Sequence, residues 1–184
     1  MAVLSGQQDT TIPVVQTEGE TRVGPLKQNT SGSHYNGLLS VNAFDLTGAY
    51  AYIQAVTVPP SNTHAQSMLT LPIDGSNHYR IYVEAGVLNF EKKIATVKTV
   101  VGSVTYDATN HQFWRIRHNA GTDQIVFETA PNVGGSPGAW TAQATIAREF
   151  AITALKFEIK AGTSAVEANA PGTVGFDHAR VARP

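Results

Sequence analysis

The stretch from residue 111 to residue 140 constrains the fold of this chain more than any other. It reads HQFWRIRHNAGTDQIVFETAP, then a Gly/Pro-rich turn, then GAW. Successive side chains of a β-strand point to opposite faces. Trp114, Ile116 and His118 therefore share one face, and Phe113, Arg115 and Arg117 the other. The face with Trp114 and Ile116 is the natural core face. Asn119, Ala120, Gly121 and Thr122 supply a turn, with glycine available for a left-handed conformation. Beyond it Ile125 and Phe127 alternate with Val126 and Glu128, so a second strand returns beside the first. Either register leaves the arginines within reach of Glu128.

The same period of two runs along the rest of the chain. Strand-like segments occupy residues 12–16, 20–26, 38–43, 50–58, 65–71, 79–84, 87–93, 96–106, 140–147, 152–160 and 173–181. Residues 50–58 are apolar on both faces, which suits a central strand, and Pro59 and Pro60 end it. Residues 147–150 are the one place where a helical turn is expected. About a dozen short strands separated by turn signals imply a sandwich or barrel. No internal repeat or domain boundary interrupts the pattern. Residues 1–19 are expected to form an N-terminal arm or edge segment and residues 20–184 a single sandwich domain.

Composition narrows the partners. The chain has 184 residues, 42% hydrophobic and only 15% charged, which is long enough and apolar enough for one packed core. A net charge of −1, with no basic stripe, gives no electrostatic case for nucleic acid or an anionic membrane. No apolar run approaches the length of a membrane span. With no cysteine, neither a disulfide framework nor a thiolate zinc site can form. Residues 1–11 lack the basic and apolar regions of a secretory signal. Between Gln28 and Ile73, Asp45 is the only formally charged residue. Buried strands with neutral loops explain this, and a neutral contact face is the sharper reading.

The chemistry is less pronounced. Retaining glucanases on sandwich folds need two carboxylates on one sheet face, hence an even spacing. The Glu-x-Asp-x-Glu pattern is absent. Glu18 and Glu20 share a face but sit in a polar, turn-like segment, and Glu158 between Lys156 and Lys160 is expected to be ion-paired on an exposed face. No nucleophile elbow, phosphate loop or His-Glu-x-x-His helix occurs. Histidines 34, 64, 78, 111, 118 and 178 lack ligand-like spacing, so no cofactor is expected. Asp177, together with Asp45 or Asp74, is the one calcium candidate the sequence can assemble. Sugar binding needs an aromatic platform and planar polar side chains. Asn77, His78, Tyr79 and Tyr82 form one candidate group, and Arg115, Arg117 and Trp140 another. Phe113, Trp114, Phe127, Phe157 and Phe176 read as packing residues. Arg115 and Arg117 are expected to form exposed ion pairs with Glu128 and Glu84.

The 111–140 hairpin resembles that of concanavalin A-like (laminin-G-like) jelly-roll domains found in bacterial surface proteins and actinobacterial phage tail proteins. Those domains tend to carry a His, two aromatics and Arg-Ile-Arg, then a strand ending in Glu-Thr-Ser-Pro-Asp-Gly and a Trp. YNGLLS at 35–40, FDLTG at 44–48, TYDATNH at 105–111, FAITALKFEIKAG at 150–162 and GFDHARV at 175–181 agree in the same order. Phe113 stands where the family often has Trp, the turn after Asn132 is longer, and the usual first strand is missing, so something else must cover that sheet edge. The resemblance implies an all-β, two-sheet antiparallel jelly-roll sandwich with very little helix. It implies a lectin-like recognition or adhesion module without catalysis, displayed on a virion (as a tail, fibre or decoration protein) or a cell surface. A purely structural virion subunit and a glycosidase-related domain are the alternatives. Expected partners are a glycan and, through the N-terminal arm, a second copy or neighbouring virion subunits.

Overall fold

The computed structural model describes residues 2–3, 9–28 and 32–183. Among these the chain forms strands β1 (Ala2–Val3), β2 (Val14–Thr17), β3 (Glu20–Val23), β4 (His34–Leu39) and β5 (Tyr50–Thr57). They are followed by β6 (Gln66–Pro72), β7 (His78–Glu84), β8 (Val87–Ile94) and β9 (Val97–Thr105). Next come β10 (Phe113–Asn119), β11 (Gln124–Ala130), β12 (Asn132–Val133) and β13 (Ser136–Pro137). The last are β14 (Thr141–Ala147), β15 (Glu158–Thr163) and β16 (Val174–Ala182). No helix occurs among the described residues, so the helical turn expected at 147–150 is absent.

Two seven-stranded antiparallel sheets face each other, with β12 and β13 forming a separate small hairpin. The first sheet runs β1-β4-β15-β6-β7-β8-β9 and the second β14-β11-β10-β5-β16-β3-β2. This is the jelly-roll sandwich read from the sequence. As its two-sided apolar pattern required, β5 is the central strand of the second sheet, flanked by β10 and β16.

The core lies between the sheets, where alternate residues of each strand meet. Ile53, Trp114, Ile116, Phe127 and Phe176 point inward from the second sheet, against Leu69, Ile81, Phe90 and Ile159 of the first. Trp114 is fully buried, and its indole N–H donates to His111 O at 2.8 Å, so burial leaves no polar atom unpaired. Phe113 points the other way, into a cluster with Tyr52 and Ala130 on the outer face of the second sheet. The two aromatics thus pack opposite faces, as the alternation dictates. Phe157 is buried in the main core.

Boundaries shift at two places. The strand expected at 38–43 forms earlier, as β4, and the one expected at 152–160 forms later, as β15. Residues 152–157 instead form a connection that buries Ile152, Leu155 and Phe157 and is tied to Phe44 by an isolated bridge at Leu155. Of the expected N-terminal arm, residues 1 and 4–8 lie outside the described residues. Within this chain, Ala2 and Val3 pair with Leu39 and Leu38, and Asp9 N donates to Tyr35 O at 2.9 Å. Both contacts lie along the outer edge of β4.

Candidate recognition face

The outer face of the second sheet gathers one of the two candidate groups. Register places Arg115 between Tyr52 of β5 and Glu128 of β11, and Arg117 between Tyr50 and Val126. Arg115 Nε donates to Glu128 Oε2 at 2.6 Å. Arg117 Nε and Nη2 reach the two oxygens of the same carboxylate at 3.3 Å each. Glu128 therefore serves both arginines. Glu84, the other expected partner, instead accepts from Gln66 Nε2 at 2.7 Å. The pairs are less exposed than expected, with side-chain exposures of 14% for Arg115, 28% for Arg117 and 6% for Glu128. Flanking aromatics cover them.

Trp140 arrives on this face because the β12–β13 hairpin turns the chain back. Asn132 pairs with Pro137 and Val133 with Ser136, and Gly138 N donates to Pro131 O at 2.8 Å. The indole then lies 5.8 Å from the Tyr52 ring and 6.5 Å from Phe113, edge-on to the latter. Arg115 Cζ sits 4.1 Å from the Trp140 ring centroid and 5.3 Å from that of Tyr50. A guanidinium is thus held between two half-buried aromatic rings and fixed at its edge by a carboxylate. Tyr50 and Tyr52 were not among the sequence candidates. The period-two pattern put them on the outer face of β5, but only the register shows that they adjoin the arginines.

The other candidate group is split by the fold. Tyr79 and Tyr82 are three residues apart on β7 and so face opposite ways. Tyr79 is fully buried between the sheets, stacked 4.4 Å from Phe150, and its hydroxyl accepts from Glu149 N at 3.1 Å. A side chain so placed has no surface to offer a ligand. Asn77 is committed to its turn, donating to both oxygens of Asp74 at 3.1 and 3.0 Å and accepting from Ala95 N at 3.0 Å.

His78 and Tyr82 lie on the outer face of the first sheet, His78 within a hydrogen-bonded network. His78 Nε2 is 3.0 Å from Glu91 Oε1, which also accepts from Arg80 Nη1 at 3.3 Å, while Arg80 Nε donates to Thr70 Oγ1 at 3.1 Å. Burial pulls the His78 pKa down to about 4, against the opposing pull of Glu91. Burial works against ionised Glu91, but hydrogen bonding from His78 and the charge of Arg80 outweigh it and lower its pKa. Burial, reinforced by Glu91 and Glu84, pushes Tyr82 up to about 12.

Glu158 shares this face and is buried, not exposed as expected, with Lys160 Nζ 3.0 Å from its carboxylate. Register puts Glu158, Thr70, Arg80 and Glu91 in one row across β15, β6, β7 and β8. Three strand spacings separate the two glutamate backbones, about 14 Å. Glycosidase carboxyl pairs lie roughly 5–9.5 Å apart. Here Arg80 stands between them and each glutamate has its own cation. Glu20 pairs with Arg22 at 3.0 Å, and Glu18 occupies the turn before it with φ 52°.

Among the described residues no group of three or more His, Asp or Glu could hold a metal ion. Asp177 accepts from His178 N at 2.6 Å, Asp45 from Thr47 N at 2.8 Å and Asp74 from Ser76 N at 2.7 Å. Each aspartate thus closes its own loop.

No family model and no curated protein matches the chain. Solved structures share the fold at low identity. The CBM2 module of the evolved Dit protein of Lactobacillus casei BL23 phage J-1 is similar at 9% identity, over 96% of this chain and 81% of that one, with TM-score 0.63. The exoplasmic/lumenal domain of VIP36, in its Ca2+/Man3GlcNAc-bound form, is similar at 12% identity over 89% and 80%, TM-score 0.60. Xylan β-1,4-xylosidase from Bacillus halodurans C-125 is similar at 11% identity over 89% of this chain but only 33% of its own length, TM-score 0.57. In fold, this chain is a concanavalin A-like jelly-roll sandwich.

Proposed function

We propose that this chain is a non-catalytic glycan-recognition module whose contact surface is the outer face of the second sheet. The observation that carries the reading is Arg115 held between Trp140 and Tyr50 and clamped by Glu128. Aromatic rings accept the C–H faces of a sugar, while guanidinium edges in fixed positions bond its hydroxyls. Both are pre-organised here, so little ordering entropy opposes binding. Arg117, more exposed than Arg115 and Glu128, offers donors beside that stack. The separated, cation-paired glutamates of the first sheet support recognition without hydrolysis. Among structures of the same fold, one is named the CBM2 module of a phage protein and another holds Man3GlcNAc. Display on a virion or cell surface is the setting in which such a module would act.

The second reading, a structural virion subunit that assembles without binding sugar, is favoured by β1. A two-residue clip on a sheet edge exchanges readily onto a second copy by the same pairing.

The test is a glycan array probed with the wild-type chain and with Trp140→Ala. A defined subset of glycans should be bound, and Trp140→Ala should weaken that binding on the order of tenfold or more. Silence of the wild-type protein across the array would reject glycan recognition and leave the structural reading.

A further inference from the structure

A second polar surface lies at one end of the sandwich, apart from the arginine–aromatic stack. The loop between β9 and β10 and the β12–β13 hairpin enclose an open cleft of about 480 Å³, lined by Ala108, Thr109, Gln112, Asn132, Gly134 and Gly135. This volume falls in the range of small-ligand pockets. No charged side chain lines it. The lining offers amides, a hydroxyl and bare glycine backbone, which is a neutral hydrogen-bonding surface.

Both walls are braced from behind. Asp107 Oδ1 accepts from Thr109 N at 2.7 Å, Asp107 Oδ2 from Asn110 Nδ2 at 2.6 Å, and His111 N donates to Asp107 O at 2.8 Å. Gln112 is anchored through its carbonyl, which accepts from Ala55 N at 2.7 Å. In the opposite wall Asn132 Oδ1 accepts from Gly135 N at 2.9 Å, which fixes that amide. Gly134 and Gly135 have φ of 60° and 85°, and a Cβ built on either would meet nothing within 4 Å. Bare backbone therefore borders the opening.

Within this braced frame the side-chain groups lack partners. Among the described residues, Thr109 Oγ1, Asn132 Nδ2 and Gln112 Nε2 make no hydrogen bond, and Gln112 Oε1 is buried with none. A braced, uncharged cleft with unfilled amide donors and a free threonine hydroxyl matches vicinal hydroxyls, which donate and accept at once.

We propose that this cleft is a separate binding site for a neutral saccharide, accommodating one or two sugar residues at the end of a chain. It would give the module a second contact with a glycan, raising avidity without new area on the sheet face.

The experiment is a series of ¹H–¹⁵N spectra of the full chain titrated with xylobiose, mannobiose, laminaribiose and N,N′-diacetylchitobiose, each to roughly 20 mM, which detects weak binding. At least one disaccharide should shift the amides of Thr109, Gln112, Asn132, Gly134 and Gly135. These shifts should vanish in Gln112→Leu and Asn132→Ala yet persist in Trp140→Ala. If Gln112→Leu does not fold, Asn132→Ala and Thr109→Val, both at exposed positions, carry the test. Shifts confined to Arg115, Arg117 and Trp140 would overturn the cleft while sparing the sheet-face reading. Cleft shifts alone would uphold the cleft and remove the sheet face. Absence of any shift, or cleft shifts unaltered in the variants, would overturn the proposal.

Discussion

At the scale of single residues, the two outer faces of the sandwich hold charge for different ends. His78 is neutral in the folded chain because burial pulls its pKa from 6.5 to about 4. Between those values the unfolded chain binds a proton that the native chain does not, so stability falls as pH drops through that window. The shift corresponds to roughly 2–4 kcal/mol. Glu91, lowered by the same network, adds a loss in the same direction below its unfolded pKa. Thermal melts from pH 7 to 4.5 should show a steep decline in the wild-type chain and a shallower one in His78→Gln. Equal slopes would mean that His78 does not govern it. On the other face, Glu128→Ala leaves two partly buried guanidinium groups without their carboxylate and should cost about 3–5 kcal/mol in chemical denaturation. Arg117→Ala, at the most exposed corner, should cost less than Glu128→Ala. The pairing of Arg115 with Glu128 was legible because period two and a hairpin turn allow few alternatives. The separation of Tyr79 from Tyr82 was missed when they were grouped, although an odd spacing cannot share a strand face. Choosing which of them faces the core required the partner sheet.

At the scale of elements, the β10–β11 hairpin organises the sandwich. Trp114 reaches the core from it with its indole N–H paired, so Trp114→Ala should cost about 3–5 kcal/mol in equilibrium unfolding, as a buried aromatic truncation. A loss below about 1 kcal/mol would mean that the two faces of the strand are inverted. The β4–β15 pair is more sensitive to small changes. Cβ atoms added at Gly37 or Gly162 would collide with backbone atoms of the facing strand. Gly162→Ala is expected to destabilise the chain, whereas an ordinary strand glycine would tolerate the methyl. Melting temperatures of the two proteins decide it. Here the sequence misled. Ile152, Leu155 and Phe157 are all buried, and this apolar run reads as a strand. Their backbone mostly seeks other partners, with Lys156 N donating to Pro72 O at 2.8 Å and Leu155 bridging Phe44. Apolar content reports burial, and only the ladder reports pairing. The β12–β13 hairpin was read as a plain turn for the complementary reason, since two-residue strands carry no period.

At the scale of the whole molecule, the chain presents two outer faces and a set of edges. β1 pairs with Leu38 and Leu39 of β4, and exchange of this clip with a neighbour is a route to assembly. Light scattering at roughly tens of micromolar should give a larger mass for the full chain than for one lacking residues 1–11, and equal monomer masses would contradict that route. Recognition of a glycan by the Trp140–Arg115–Tyr50 face is the central claim. Its most direct measurement is calorimetric titration, at pH 7, of an array-selected oligosaccharide into the wild-type chain and Trp140→Ala. The expected result is one saturable binding event in the wild type, on the order of micromolar to millimolar Kd, weakened tenfold or more by the substitution. A wild-type chain that gives no saturable heat, equal affinity in both proteins, or heat that continues as steady turnover would contradict non-catalytic recognition at this face.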